Sequence, residues 1–299
     1  MTAPNAHLVA EIATQPDDWR RNAARAARES AALPAPGERV AVVGCGTSLF
    51  MAQAYAALRE DAGQGLTDAF AASEHRLERG YDRIVAITRS GTTTEVVDLL
   101  RAHRGKAPTT VLVADPRTPV VDLVDHAVVL DDVDERSVVQ TRFATSVLAL
   151  LRASLGHDIS AAADQAQRVL DADVTELLGP VASAEQVTFV GRGWTNGLAN
   201  EAALKLRESA QAWTESYPAM EYRHGPIAVT APGRVTWAFG DVPAGLEQDV
   251  LATGGHFEHS DLDPMADLVR VHRLCVVRAQ AAGLDADTPR NLTRSVVLA

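Results

Sequence analysis

Apolar positions along the chain follow two rhythms. Short continuous bursts, RVAVVG (39–44), RIVAIT (83–88), TTVLVAD (109–115) and HAVVLDD (126–132), have the length and β-branched content of buried strands. Between them apolar residues recur at helical spacing. This holds for 7–32 (Leu8, Ile12 and Trp19 among repeated alanines), for 48–59, for the VVDLLRAHR stretch from Val96, and for 138–156. Pro34-Ala35-Pro36-Gly37 closes the first of these stretches. Strands alternating with helices predict an α/β fold with a parallel sheet covered on both faces.

The pattern then restarts. After a linking helix over 160–178, QVTFVGRGWTNG (186–197) again passes from an apolar burst through Gly-x-Gly into a helix. VAVVGCGTS and VTFVGRGWT are one unit used twice, which predicts two related α/β halves. RVTWAFG (234–240) reads as a later strand, MADLVRVHRLCVVRAQAAG (265–283) as a late helix and DTPRNLTRSVVLA as a tail. The expected organisation is an N-terminal helical segment (1–37), a first half (38–158), a linking helix (159–180) and a second, shorter half with the tail (181–299).

Composition narrows the function classes. The chain has 299 residues, 46% hydrophobic and 22% charged, the balance of a soluble globular protein. No apolar run is long enough to span a bilayer. The start, MTAPNAHLVAEIATQPDDW, lacks the basic and apolar regions of a signal peptide, so a cytoplasmic protein is expected. A formal net charge of -11 disfavours nucleic acid and anionic membranes as partners. It leaves room for an anionic small substrate in a locally positive pocket. Cys45 and Cys275 lie far apart without CxxC spacing, which argues against a disulfide framework or a zinc site.

The glycine turns carry the first chemistry. A strand–glycine–helix junction exposes backbone N–H groups at a helix N-terminus, and these with the helix dipole favour an anion. Gly44-Cys45-Gly46 followed by Thr47 and Ser48 fits that arrangement, although a capped helix after a strand would use the same residues. TRSGTTTE (88–95) adds five hydroxyl residues around Gly91 at a second strand end. In a doubly wound sheet both turns fall at the carboxyl edge, where ligands bind. A dinucleotide fingerprint is disfavoured because Leu49 stands where the third glycine belongs, and neither a Walker A loop nor a G-x-S-x-G elbow is present.

The stretch NEAALKLRESAQAWTESYPAMEYRHGPIAV (200–229) carries the second. Glu201, Lys205 and Glu208, spaced four and three apart, share one helix face. That pattern suits a solvated salt-bridged face or a catalytic face turned into a crevice. His224, in YRHGP, belongs to the residue type that changes charge near neutrality. A carboxylate and a histidine beside a sugar supply what proton shuffling between carbons needs. The cluster His256, Glu258, His259, Asp261 and Asp263 lacks a metal-ligand pattern, so no metal and no cofactor are expected.

Taken together, EIATQP, GCGTS, RSGTTTE, ERSVVQTR, GRG…EAALKLRES, YRHGP and DTPRNLTRSV make the chain resemble the sugar isomerase (SIS) family. Within that family it is similar to the isomerase half of glucosamine-6-phosphate synthase, over nearly its whole length. The resemblance implies two tandem flavodoxin-like SIS halves, each a parallel sheet flanked by helices. It implies that Gly46, Thr47 and Ser48, with Thr88, Arg89, Ser90, Gly91 and Thr93, hold the phosphate of a hexose 6-phosphate or aminosugar 6-phosphate. Val138 and Gln140 fall where the family contacts the sugar. Glu208 becomes the carboxylate that moves a proton between C1 and C2, accompanied by Lys205 and Glu201, and His224 opens the ring. In the synthase this histidine comes from the neighbouring subunit, which implies a homodimer with shared sites.

Four departures qualify the resemblance. The chain starts Met1-Thr2 without a glutaminase domain, so glutamine is not expected as its ammonia source. Arg294 replaces a tail lysine, and arginine cannot form the imine that lysine can. Thr88 and Arg89 replace Ser-Gln, and Gln140 replaces a serine, which points to a different substrate. The second half is shorter than the synthase's. The resulting expectation is an aldose–ketose isomerase or aminosugar-phosphate deaminase. The alternative is a non-catalytic phosphosugar sensor or regulatory subunit, a role that related SIS domains fill, with Arg294 its best support. A subunit using a separate glutaminase is a third reading.

Overall fold

The computed structural model describes residues 3–298. The chain divides into two compact units. One comprises Met1–Pro16, Arg136–Thr141 and Ser160–Leu292; the other comprises Asp17–Glu135, Arg142–Ile159 and Thr293–Ala299. The N-terminal helix α1 (Ala6–Ala23) spans the division at Pro16.

The unit that begins at Asp17 holds β1 (Val40–Gly44), α2 (Thr47–Asp61), β2 (Thr67–Ala71), β3 (Arg83–Thr88), α3 (Thr94–His103), β4 (Thr109–Val113), β5 (His126–Val129) and α4 (Arg142–Ser154). Its five strands pair in parallel in the order β2-β1-β3-β4-β5. The order reverses between β1 and β3, so the turns after these two strands flank a topological switch point. Every residue of β1 and β4 is buried, as a sheet covered on both faces requires. Val43, Ile84, Ala86, Leu100, Val111 and Val113 belong to the core that packs α3 on this sheet.

The other unit holds α5 (Ser160–Asp171), α6 (Val174–Leu178), β6 (Gln186–Gly191), α7 (Thr195–Ala210), β7 (Trp213–Pro218), β8 (Arg234–Phe239), α8 (Leu246–Ala252), β9 (His256–His259) and α9 (Pro264–Ala281). Its four strands are also parallel, in the order β7-β6-β8-β9. That is the first sheet's order without its last strand. The duplicated glycine turn is visible in three dimensions. A Cβ on Gly44 would meet the Ser48 backbone at 2.6 Å, and one on Gly191 would meet the Thr195 carbonyl oxygen at 2.3 Å. Each strand therefore ends in a glycine so that the residue four positions later, in the first turn of the following helix, can approach its backbone.

Some elements differ from the sequence reading. The helix expected over 138–156 starts at Arg142, because the Glu135 carboxylate accepts from the backbone N–H groups of Arg142 (2.9 Å) and Phe143 (3.4 Å). The preceding segment runs as bends instead, with Glu11 accepting from Arg136 N at 2.5 Å and from Ser137 N at 3.4 Å. The linking helix breaks in two where Asp173 caps α6 through the N–H groups of Thr175 and Glu176. α1 ends at Ala23, and the rest of the stretch to residue 32 is turn.

Candidate active site

The hydroxyl turns lie at the carboxyl ends of β1 and β3. Thr47 and Ser48 open α2 and are buried, as are Thr88, Arg89, Ser90 and Gly91; Thr93 is half-buried. The hydroxyls shape the loop as well as line it. Thr88 Oγ1 accepts from Gly91 N at 3.3 Å, and Ser90 Oγ accepts from Thr92 N at 3.3 Å. Gly91 has φ +63°, and a Cβ there would lie 2.1 Å from Thr118 Oγ1. Gly46 likewise takes a positive φ, 55°, as the residue before α2. The loop thus combines neutral donors with backbone in a conformation that suits glycine.

Arg89 and Arg294 both belong to this unit, and both side chains are engaged. Arg89 Nη2 donates to the Arg294 carbonyl oxygen at 3.1 Å, and Arg89 Nη1 lies 3.8 Å from the buried Glu135 carboxylate. Arg294 donates to the Glu135 carbonyl and to the Asp134 carboxylate.

The other unit carries the carboxylates. Lys205 Nζ donates to Glu208 and sits 3.7 Å from Glu201 Oε1. The side chains of Lys205 and Glu201 are each 1% exposed, whereas Glu208 keeps 20%. This is not the solvated face that the spacing alone allowed. Burial pulls the Lys205 pKa down, but Glu201 and then Glu208 outweigh it, so the net direction is up and the ammonium keeps its proton. Of the three, Glu208 is the group a ligand can reach.

Helix α9 backs this cluster. Cys275 and His272, one turn apart, are both buried. Burial pushes the Cys275 thiol up to about 12, and burial together with the Lys205 charge pushes His272 down to about 3. Gln15 Nε2 lies 3.1 Å from His272 Nδ1, which makes the nitrogen facing Gln15 the acceptor of a neutral imidazole. Ser209 Oγ, on α7, donates to the Lys205 carbonyl at 2.7 Å. Gln15, His272 and Cys275 escaped the sequence reading as site residues; only EIATQP, which ends at Gln15-Pro16, hinted at the first.

His224 is exposed at the end of a short 3-10 turn, Glu221–His224. The turn is anchored by fully buried Tyr222, whose hydroxyl pairs with Thr236 at 2.9 Å and with Thr230. In the 136–141 segment, Val138 N donates to the Asp287 carbonyl at 3.2 Å, and the buried Gln140 Oε1 has no hydrogen-bond partner among the described residues. The structure therefore groups Thr47, Ser48, Thr88–Thr93 and Arg294 in one unit, and Val138, Gln140, Glu201, Lys205, Glu208 and His224 in the other.

Among the described residues no group of three or more His, Cys, Asp or Glu side chains is placed to hold a metal ion, and no helix is long and apolar enough to cross a membrane. His256 and Glu258 of the acidic–histidine cluster pair with each other at 3.2 Å, and Glu258 also binds Arg270 at 2.5 Å.

No family model matches the chain. A glutamine–fructose-6-phosphate aminotransferase (isomerizing) from Shewanella oneidensis is 26% identical over 316 residues, covering 87% of this chain and 52% of the relative. The chain spans about half the length of the curated relatives it matches. Among solved structures, a glucosamine-6-phosphate deaminase from Thermotoga maritima superposes with a TM-score of 0.82 at 21% identity, covering 98% of this chain and 100% of that one. The C-terminal domain of a glucosamine-fructose-6-phosphate aminotransferase from Francisella tularensis gives 0.77 at 20% identity, covering 95% and 98%. At these identities the superpositions speak for the fold. The resemblance to the synthase, read from the motifs, stands in the sequence comparison, and the superposition on a synthase's C-terminal domain shows the shared fold.

Proposed function

We propose that this protein is a phosphosugar enzyme, an aldose–ketose isomerase or aminosugar-6-phosphate deaminase acting on a hexose 6-phosphate, built as two tandem flavodoxin-like SIS halves. The observation that carries the reading is the Glu201–Lys205–Glu208 array, in which only Glu208 is appreciably exposed. A surface salt-bridge ladder has no reason to bury its lysine and one of its carboxylates; an array that fixes one reactive carboxylate does.

In this reading Gly46, Thr47 and Ser48, with the loop Thr88–Thr93, hold the phosphate, and Val138 and Gln140 contact the sugar. His224 transfers the proton that opens the ring. Glu208 removes a proton from one of the neighbouring carbons C1 and C2 and returns it to the other, through an enediol or, for an aminosugar, an enamine. For an isomerase no atom is gained or lost. For a deaminase one water enters at C2 and one ammonia leaves. Lys205 offsets the charge on Glu208 and holds it in place. The relatives' names, which include fructose 6-phosphate and glucosamine 6-phosphate, support this substrate class. The same reading makes the protein a cytoplasmic homodimer in which each His224 serves its neighbour's site.

One observation favours a second reading, a non-catalytic phosphosugar sensor. Arg294 stands where the synthase has a lysine, and its guanidinium is bound to Asp134 and the Glu135 carbonyl. The deciding experiment is a thermal-shift screen with glucosamine 6-phosphate, fructose 6-phosphate, their galacto analogues and inorganic phosphate, followed by assays for ammonia and ketose. Stabilisation with turnover establishes the enzyme, and stabilisation without turnover establishes the sensor. No shift and no turnover with any of the sugars overturns both.

A further inference from the structure

We propose that Arg89 is a positioning residue that fastens the C-terminal segment Thr293–Leu298 along the Thr88–Thr94 loop and thereby fixes the loop's hydroxyls. The buried guanidinium reaches the Arg294 carbonyl (3.1 Å) and the Glu135 carboxylate (3.8 Å). Glu135 is itself fixed by Arg142 N at 2.9 Å, at the start of α4. Arg294 completes the knot by donating to the Glu135 carbonyl and to Asp134.

The rest of the segment runs beside the loop. Thr92 Oγ1 and Ser295 Oγ are 2.9 Å apart. Thr94 N donates to the Val296 carbonyl at 3.1 Å, and Leu298 N donates to Thr94 Oγ1 at 2.9 Å. The Thr94 amide is the first of α3 and has no acceptor within the helix, so the tail satisfies it.

Val296, Val297 and Leu298 are exposed, so little apolar burial holds the segment down. Its docking therefore depends on these polar contacts, and Arg89 supplies one from a buried side chain whose charge faces Glu135. A consequence follows for the loop. With Arg89 turned toward Glu135 and the tail, the other donors that the loop offers an anion are neutral hydroxyls and backbone N–H groups. That last step rests on the phosphosugar reading; the fastening does not.

The test uses the full chain with Arg89→Gln, Arg89→Lys and the double variant Arg89→Gln/Glu135→Gln, followed by residue-resolved amide exchange. The double variant removes both charges together and avoids leaving a lone buried carboxylate. The Thr94 and Leu298 amides should exchange at least about tenfold faster in Arg89→Gln and in the double variant, while the β6 amides stay as in the wild type. Arg89→Lys should restore part of the protection. Wild-type protection at Thr94 in the double variant overturns the proposal. With a turned-over hexose 6-phosphate, the double variant should raise KM about tenfold or more and leave kcat within about threefold. A loss confined to kcat overturns the positioning role. A wild-type chain inert on every hexose 6-phosphate overturns the phosphosugar reading and leaves the exchange result to decide the fastening.

Discussion

Lys205 donates a hydrogen bond to Glu208 across one turn of α7, from a position that solvent does not reach. The geometry gives the two ends of this pair different duties: the lysine is structural ballast and the carboxylate is available for chemistry. Glu208→Gln keeps an oxygen for Lys205 to bond but removes the proposed base. Turnover should fall about 10²- to 10⁴-fold. The dissociation constant for the phosphosugar should stay within about threefold. Steady-state kinetics with equilibrium binding on the same sample check both, and equal loss of binding and turnover would contradict the assigned role.

Lys205→Met should act on stability. It removes the ammonium that bonds Glu208 and lies 3.7 Å from Glu201, a carboxylate as buried as the lysine. Removing one member of a buried charge group costs roughly 3–5 kcal/mol. Urea unfolding should show that loss, and Glu201→Gln/Lys205→Met, which removes a buried negative charge together with the ammonium, should recover part of it. Additive losses in the double variant would show that the two side chains do not interact.

Strand-end glycines were legible in the sequence, and so was the pattern they serve. β1, β3, β4, β6 and β8 are apolar runs because both sheet faces are covered. β2, β7 and β9 were not legible, and all three are edge strands. Thr67-Asp68, Glu215-Ser216 and His256-Phe257-Glu258-His259 give them half-exposed, polar sequences without alternation that stands out from loop. The carboxylate helix was legible because spacings of four and three place side chains on one face. Gln15 and His272 were not, since the two meet across 257 positions of chain and no local pattern records it. The break before α4 was hidden for a related reason: Glu11 and Glu135 impose it on a sequence whose apolar continuity suggests helix.

Gly91 offers a way to separate backbone strain from crowding in the hydroxyl loop. Alanine there meets both a φ of +63° and the Thr118 hydroxyl, whereas Gly80, at φ +78°, has nothing within 4 Å of a Cβ. Gly80→Ala, at φ 78° and ψ 116°, should cost about 1–3 kcal/mol, the strain of a side chain in a sparsely populated positive-φ region. Gly91→Ala should cost about 1–3 kcal/mol more, as overpacking does. Denaturant unfolding of the two variants gives the difference. Gly91→Ala alone should also weaken phosphosugar binding, by about tenfold or more, because Gly91 N is bonded to Thr88 Oγ1. Equal costs for the two substitutions would mean that Thr118 yields without effort.

His272 makes a prediction about pH. Burial and the Lys205 charge hold the folded imidazole at about 3, against 6.5 when free. Below 6.5 the unfolded chain takes up a proton that the native side chain refuses, so stability is full above that value and drains as pH falls toward about 3. The slope from this one group cannot exceed about 1.4 kcal/mol per pH unit. Carboxylates contribute their own acid dependence, so the informative quantity is the difference between wild type and His272→Gln. Glutamine retains an oxygen to accept from Gln15 and cannot be charged. Between about pH 4 and 6 the variant's stability should fall less steeply than the wild type's, with the two curves parallel above pH 7. Parallel curves throughout would place His272 in contact with water or with an anion that accepts its proton, contrary to the burial and to the Gln15 contact.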